Sequence, residues 1–451
     1  MRDKWLWAGT IAYAALFTAL GALKYAVHRN LVDFGIFAQT AASAFGCFCN
    51  TIEGSHWSFH SSPILYVVGA AVSVWHSSLA LVALQAIAGA LVAPPVYGLV
   101  MRARGDAGLA RFAAVVVWLY PPLAGLIFGD FHENGFAPAA IAWMLYCFDG
   151  GMLLWAAVAA AVALAVKEDQ AVFLTIAGGL GWLRFRGTTP GRLALGIGLV
   201  SCVVAVHFFT AGQSHAIVAG VGDTHWQPVR FYSWTGADFG DLLRSGLLGR
   251  AGFVVLAFLP LLFLPFRSRM MWLAAAPLAE VLLSRMPTTY TLGTHYAGAW
   301  LGYVLVAFAF ALRDLDARRA RTAAFWCMGL CVVELVAANP MHPGLNLHAV
   351  AVRDRALDDY LRTLPANLDV ATQEEAYTHL ALDDPRATVL PETSDVVPAS
   401  CYILLDRDYP ASARLEEYGP AVGELARKKT YVLIDRKGAI ELYWKTGDGC
   451  R

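Results

Sequence analysis

The chain has 451 residues, of which 58% are hydrophobic and only 15% are charged. An ordinary soluble domain carries about a quarter charged residues, so this composition excludes a purely water-soluble protein. The formal net charge is zero and no extended basic run is present, which argues against a nucleic-acid partner. We therefore expect an α-helical protein that crosses a membrane many times.

The first apolar run, residues 5–23, predicts a retained membrane-spanning helix. It follows Arg2 and Lys4 and lacks a convincing small-residue cleavage site for a signal peptide. Because Lys and Arg in short loops favour the cytoplasm, the N-terminus is predicted inside and the segment after Lys24 outside. The apolar run at 62–75 is short for a span, so an interfacial position and a true span both stay open.

Apolar runs near the required length of about 20 residues continue along the chain. The predicted spans are 5–23, 78–101, 108–128, 134–149, 151–166, 170–184, 193–211, 250–266, 270–284, 297–312 and 322–338. With about eleven spans, each basic cluster of the short loops faces the cytoplasm and the C-terminus lies outside. The predicted outer loops are 24–77, 129–134, 212–249 and 285–296.

The composition changes at about residue 339, and the last quarter of the chain holds about half of its acidic residues. We predict a membrane domain over 1–338 and a soluble extracytoplasmic α/β domain over 339–451. Within the second domain the patterns predict a helix in 347–364, a buried strand at 401–406 and a hairpin at 430–445.

The eight cysteines show no metal-like spacing. Four of them lie in apolar runs, where small buried hydrophobic residues are expected: Cys147, Cys202, Cys327 and Cys331. Cys401 and Cys450 lie in the polar C-terminal part and are candidates for a disulfide if that part is extracytoplasmic.

Asp33 lies between apolar residues in the first outer loop. A partly desolvated carboxylate at the membrane surface has the chemistry of a general base, because desolvation moves its pKa toward working pH. A helix cap or a partner for Arg29 explains the same residue equally well.

His56 and His60 are four residues apart, which on a helix would place both imidazoles on one side as weak metal candidates. Pro63 and the neighbouring serines favour a loop instead.

Asp130, His132 and Glu133 fall in a very short turn between two predicted spans. Such a group has the chemistry to bind a divalent ion or to orient a sugar hydroxyl or a phosphate. An ordinary polar loop is the alternative.

Lys167, Glu168 and Asp169 interrupt an otherwise apolar stretch. Ionisable groups at such depth are costly and usually line a cavity or pair with each other. Lys167 could therefore neutralise a lipid phosphate, or the three residues could close a tight turn as an internal ion pair.

Two further outer segments contain polar candidates. Arg230 lies among aromatic residues of the 212–249 loop, a composition that suits either sugar stacking or an interfacial belt. His295 and Tyr296 begin a later helix, where a histidine is more often structural than catalytic.

Several short pieces in order resemble an uncharacterised prokaryotic membrane family, domain of unknown function 2079. These pieces are VDFGIFAQ at 32–39, SHWSFHSSPILY at 55–66, LYPPL at 119–123, DFHEN at 130–134, VKEDQA at 166–171, HYAG at 295–298, LPANLDVATQEEAYTHLA at 364–381 and CYILLD at 401–406. The resemblance covers nearly the whole chain. It departs from the family pattern at Ala38, where a second acidic residue is usual, and at Glu133-Asn134, where the family has Pro-Glu.

That family is similar in layout to the GT-C glycosyltransferases, which use polyprenyl-phosphate sugars. The resemblance implies that Asp33 is the catalytic base and that Lys167 stabilises the departing phosphate, with help from Arg230 or a divalent metal ion. It also implies a glycan or lipid acceptor at the outer face of the cytoplasmic membrane. Pocket residues by the same analogy are Asp130, His132, Glu168 and His295.

Two other functional classes remain open from the sequence. A transporter or lipid flippase would use the same polar residues along a pathway, although such a protein needs access from both faces. A non-catalytic envelope-assembly protein would use the outer domain for binding.

Overall fold

The computed structural model describes residues 3–212, 240, 244, 246–341, 347–390, 397–409, 413–447 and 450. Helices dominate this part of the chain, and a small sheet lies near the C-terminus. The chain divides into two compact units. The first unit comprises Met1–Thr18, Trp57–Ile64 and Ala83–Pro343, and the second comprises Ala19–His56, Leu65–Val82 and Gly344–Arg451.

The N-terminal half is helical apart from one short hairpin. Its elements are α1 (Lys4–Ala26), α2 (Val32–Ala42), β1 (Cys49–Asn50), β2 (Gly54–Ser55), α3 (His56–Phe59), α4 (Leu65–Val74), α5 (Leu79–Ala90), α6 (Ala93–Arg104), α7 (Ala107–Leu119), α8 (Pro121–Phe128), a 3₁₀ turn (Glu133–Phe136), α9 (Ala137–Asp149), α10 (Leu153–Leu164), α11 (Glu168–Arg184) and α12 (Thr189–His207).

The second half adds four apolar helices and the mixed C-terminal part. Its elements are α13 (Leu247–Phe258), α14 (Ala275–Leu283), α15 (Ala297–Asp314), α16 (Ala317–Ala337), α17 (Val352–Leu361), β3 (Val370–Thr372), α18 (Glu374–Leu380), β4 (Thr388–Val389), β5 (Tyr402–Asp406), α19 (Ala413–Arg427), β6 (Tyr431–Lys437) and β7 (Ile440–Lys445). Short 3₁₀ segments, Leu259–Leu261, Leu264–Arg267, Arg269–Ala274 and Pro287–Tyr290, join several of them.

Five helices of the described chain are long and apolar enough to cross a membrane, and a sixth arises if α7 and α8, bent by 47°, count as one span. The five are Lys4–Ala26, Leu79–Arg104, Thr189–Thr210, Ala297–Asp314 and Ala317–Ala337. Shorter apolar helices occupy Leu65–Val74, Leu153–Leu164 and Leu247–Leu261. The number of eleven spans, the orientation and the domain boundary at 338 stay predictions.

Small residues allow helices of the first unit to approach closely. A Cβ at Gly178 in α11 would lie 2.6 Å from the backbone of Gly198 in α12, so only glycine fits this crossing. Without a hydrophobic force between helices in lipid, such close backbone packing is a main source of association. Helix α15 is buried along most of its length, which places it at the centre of this unit.

Arginine and aspartate pairs join one set of helix ends in the first unit. Asp149, at the end of α9, accepts from Arg102 at 2.9 Å and lies 3.4 Å from Arg313 in the last turn of α15. Asp106, which caps α7, pairs with Arg321 of α16 at 2.7 Å. The opposite ends of α9 and α15 are therefore the ends that carry the polar residues 132–133 and 295–296.

The C-terminal part of the second unit is a five-stranded mixed sheet of order β4-β3-β5-β7-β6. Strand β3 pairs in parallel with β4 and β5, and the β6–β7 hairpin continues the sheet in antiparallel sense. Ile403, Leu405 and Tyr431 form its buried core with Val422 of α19. The predicted strand at 401–406, hairpin at 430–445 and helix within 347–364 are all present.

Two disulfide bonds lie within the second unit. Cys401 pairs with Cys450, as the sequence suggested, and Cys47 pairs with Cys49. The four cysteines of the apolar runs are free, and Cys147, Cys327 and Cys331 are buried.

Candidate functional site

Ionisable side chains converge at one set of helix ends in the first unit. We call the group of His60, His132, Glu133, Lys167 and Glu168 the lysine cluster. His132 precedes the 3₁₀ turn that leads into α9, and Lys167 is the residue before α11. All of these side chains therefore come from turns between helices or from residues next to such turns.

Glu133 is the buried centre of the lysine cluster. Its carboxylate lies 2.8 Å from His132 Nδ1 and 3.8 Å from Lys167 Nζ. The turn that carries it is held by Gln85 of α5, whose side chain accepts from His132 N at 2.9 Å and donates to Ile127 O at 3.1 Å. A buried amide with both ends satisfied fixes this irregular backbone inside an apolar surrounding.

Glu168 anchors the segment that carries His60. One carboxylate oxygen lies 2.8 Å from His60 Nδ1, and the other accepts from Ser61 N at 2.9 Å. A backbone hydrogen bond from Ile64 N to Ala165 O, 2.8 Å long, adds a second connection. The segment after α3 is therefore fixed against the turn before α11.

His295 completes the polar surface from α15. Its ring stacks on His132 with centroids 3.7 Å apart, and Tyr296 lies 4.1 Å from it. Close packing sets this position, because a Cβ at Gly298 would lie 2.3 Å from Asn134 O. Glycine is thus required where α15 meets the 132–134 turn.

The charges of the lysine cluster stabilise each other. Burial by itself would lower the pKa of Lys167, but the carboxylates of Glu133 and Glu168 outweigh it and raise that pKa above its usual value. Burial by itself would raise the pKa of Glu133, but His132 and Lys167 outweigh it and lower that pKa. The cluster therefore holds its ammonium between ionised carboxylates that compensate its charge.

Two other predicted residues are sequence neighbours of the lysine cluster, and the charge of one of them, Asp169, acts on Lys167. Asp130 is half-buried, and its backbone oxygen accepts from Gln85 at 3.4 Å. Asp169 is half-buried in the first turn of α11 and accepts from Gln170 at 3.3 Å. Arg230 lies outside the described residues.

Asp33 belongs to the second unit. It is half-buried in the first turn of α2, where the helix dipole favours a negative charge. The N-cap position is Leu31, so Asp33 does not act as the cap residue.

The two histidines considered as a metal pair have separate carboxylate partners. His56 is buried and lies 2.9 Å from Glu53, whereas His60 lies 2.8 Å from Glu168. The metal role of this pair stays a prediction.

The family model described as a predicted membrane protein, DUF2079, matches residues 27–417. The chain belongs to this family. The match includes Asp33 and all of the lysine cluster, and it extends into α19. A search of curated proteins gives no significant match.

Two solved structures resemble the fold of this chain over nearly its whole length. ArnT from Cupriavidus metallidurans bound to undecaprenyl phosphate has a TM-score of 0.54 and 14% identity, covering 96% of this chain and 98% of that one. Arabinofuranosyltransferase AftD from Mycobacteria has a TM-score of 0.50 and 14% identity, covering 99% of this chain and 40% of that one. At these identities the likeness concerns the fold, and this DUF2079 protein has the GT-C layout.

Sequence reasoning missed Gln85 in this DUF2079 protein. The available signal was a single amide within the apolar run 78–101, since polar residues inside such runs usually contact a partner or a cavity. The hydrogen-bond partners of Gln85 could not be predicted from this run, because they lie more than 40 positions away in the sequence.

Proposed function

We propose that this protein is a membrane glycosyltransferase that moves a sugar from a polyprenyl-phosphate donor to an envelope acceptor on the outer face of the membrane. The GT-C layout supports the proposal, as does the undecaprenyl phosphate bound to ArnT. The observation that carries it is the lysine cluster, where a buried cation lies at the ends of apolar helices.

Lys167 is the proposed phosphate-binding residue. At 3.8 Å from Glu133 Oε1 its ammonium forms an ion pair that is longer than a hydrogen bond, so its N–H donors have capacity for phosphate oxygens. When the sugar carbon is attacked, the bond to the lipid phosphate breaks and that phosphate gains negative charge. A preorganised cation at this point stabilises the charge as it develops.

His132 and His295 are the proposed neighbours of the phosphate and sugar. Their stacked rings present nitrogens that donate or accept according to protonation. His132 is fixed through its backbone by Gln85 and through its ring by Glu133, so its orientation is set before substrate binds.

Asp33 is the proposed base that removes the proton of the acceptor hydroxyl. The family resemblance supports this role, together with its half-buried place in the first turn of α2. A general base of this kind accelerates a transfer by about 10²–10⁴-fold.

The proposed outer location rests on two further features. Both disulfides lie in the second unit, and such bonds persist in oxidising compartments. Arg102, Arg313 and Arg321 gather at the helix ends of the first unit opposite to the lysine cluster, as expected for a cytoplasmic side.

Binding of undecaprenyl phosphate to the purified full-length protein tests the proposed donor class. Native mass spectrometry in detergent is expected to show one retained lipid phosphate for the wild type and strong loss for Lys167→Met. Lys428→Met, a change at a side chain that is 66% exposed, serves as the matched control. Equal retention by the wild type and Lys167→Met would remove Lys167 from the donor site.

A further inference from the structure

Two histidines and an aspartate far apart in sequence meet inside the second unit. His379 Nδ1 lies 3.0 Å from Asp358 Oδ1, and His28 Nε2 lies 3.3 Å from the same oxygen. The imidazole rings stack with centroids 3.9 Å apart. We call these three residues the histidine–aspartate cluster, and one ligand atom from each falls within 4.8 Å of the others.

Backbone carbonyls hold the remote nitrogen of each histidine. His28 Nδ1 lies 3.2 Å from Glu375 O, and His379 Nε2 lies 3.0 Å from Tyr25 O. A carbonyl oxygen only accepts, so each of these nitrogens carries the proton and donates. Metal-binding histidines are typically oriented by such a contact, which leaves the other nitrogen for the ion.

The near nitrogens also face only acceptors. His379 Nδ1 points to the Asp358 carboxylate, and His28 Nε2 lies near both that carboxylate and Asp354 O, the latter at 3.2 Å. If both rings are neutral, two nitrogen lone pairs oppose oxygen lone pairs. If one ring is protonated, the remaining neutral ring still directs one nitrogen lone pair at an oxygen acceptor. If both are protonated, two buried cations stack beside the single Asp358 carboxylate, at a separation where like charges repel strongly.

We propose that His28, His379 and Asp358 bind one divalent metal ion of the zinc class. A metal ion among these three atoms accepts the ring nitrogen lone pairs and the carboxylate oxygen as ligands. The nitrogens then no longer oppose oxygen lone pairs, and neither neutral ring has to take up a proton. Two imidazoles and one carboxylate form a ligand set that zinc prefers and that hard ions such as Mg²⁺ do not.

The surroundings of the cluster suit an ion that retains one open position. Asp358 and His379 line a cavity of about 490 Å³, which gives water and the ion a path to the site. His28 is fully buried and does not line this cavity. Its backbone has a positive φ of 53°, a conformation that costs energy for a residue with a side chain and often marks functional positions.

The ion would hold three chain segments of the second unit together. His28 follows α1, Asp358 lies on α17 and His379 lies on α18, so one ion joins three chain segments separated by about 20 to 350 residues. This role is separate from the transfer proposed for Lys167 and Asp33, because none of the three ligands belongs to that machinery.

Metal content of the purified full-length protein tests the site directly. Mass spectrometry of the elements is expected to give about one zinc per chain, lost in His379→Ala and Asp358→Asn. His76→Ala is the matched control, because His76 also pairs with an aspartate at 2.7 Å but is 64% exposed. Zinc that persists in both cluster variants would overturn the proposal.

A measurement on the wild type avoids dependence on variant folding. After chelation, diethyl pyrocarbonate labelling is expected to modify His379, and added Zn²⁺ or Co²⁺ is expected to protect it while leaving His76 equally reactive. The melting temperature is expected to rise with Zn²⁺ and to fall with chelator. Absence of bound metal, of protection and of any thermal shift would mean a metal-free histidine pair and would refute the site.

Discussion

The lysine cluster and the histidine–aspartate cluster both bury histidines against carboxylates, but they differ in how charge is balanced. In the lysine cluster, Glu133 has a histidine and an ammonium nearby, and Glu168 accepts from His60 and a backbone N–H. In the histidine–aspartate cluster, every ring nitrogen faces an oxygen acceptor. The first group therefore contains a lysine ammonium, the cation proposed to bind the lipid phosphate, whereas the second consists of two histidines and one aspartate and is the group proposed to bind a metal ion.

Removal of the cation from the lysine cluster is expected to give the largest effect. Lys167→Met should lower the rate of sugar transfer by about 10²–10³-fold, because the departing phosphate loses its preorganised charge. Transfer from a polyprenyl-phosphate sugar in isolated membranes measures this. Lys428→Met, at an exposed position directly after α19, should transfer at the wild-type rate.

A double variant separates folding from function at the same site. Lys167→Met leaves the buried Glu133 carboxylate without its ammonium, which should lower the melting temperature as well. Adding Glu133→Gln removes that charge, so the melting temperature should recover while transfer stays low. Recovery of transfer in the double variant would show that Lys167 serves only to neutralise Glu133.

Asp33→Asn tests the proposed base in the second unit. The substitution keeps size and removes proton acceptance, so transfer should fall by about 10²-fold or more, with lipid phosphate binding unchanged. Asp359→Asn is the control, since that side chain is 65% exposed and pairs loosely with Arg362 at 3.5 Å. Transfer at the wild-type rate by Asp33→Asn would leave Asp33 with a structural role.

His295→Phe tests the stacked ring of the lysine cluster. Phenylalanine preserves stacking on His132 and removes the ring nitrogens, so folding should persist and transfer should fall by about tenfold, the loss of one hydrogen bond. Steady-state rates and melting curves of the purified variant measure both effects. A stable variant with unchanged rates would limit His295 to packing.

Removal of the disulfides is expected to have the smallest effect on sugar transfer, because these bonds act on stability. Loop-closure entropy predicts a loss of about 4 kcal/mol for Cys401→Ser with Cys450→Ser and of under about 2 kcal/mol for Cys47→Ser with Cys49→Ser, because the pairs are 49 and 2 residues apart. Thermal unfolding compares the two variants. Free thiols at Cys401 and Cys450 in protein from intact cells would contradict an extracytoplasmic location.

Much of the secondary structure was predictable because local periodicity sets it. The apolar runs mark the helices, and the alternating run at 430–445 marks the β6–β7 hairpin. Turns that break helices were harder to place, since α7 and α8 divide one predicted span at Pro121 and α9 begins only after a 3₁₀ turn. Proline and irregular backbone shorten the helices but leave the hydrophobicity of the sequence unchanged, and the spans were predicted from that hydrophobicity.

The site was predictable in its residue types but not in its pairings. Lys167, His132 and Glu168 stand out because ionisable residues in apolar surroundings are costly. Their partners depend on packing between distant segments, as in the contact of His60 with Glu168 across 108 positions. His28 and His379 gave no such signal, because each lies in a polar segment where a histidine is ordinary.

Lipid profiling of a strain that lacks this protein tests the central claim most directly. The account predicts that a polyprenyl-phosphate sugar accumulates, that wild-type protein clears it and that Lys167→Met, expressed and inserted at the wild-type level, does not. The envelope glycan that receives the sugar should be lost in parallel. An unchanged lipid and glycan profile in the deletion strain, or clearance by Lys167→Met equal to that by the wild type, would contradict a transferase that uses Lys167.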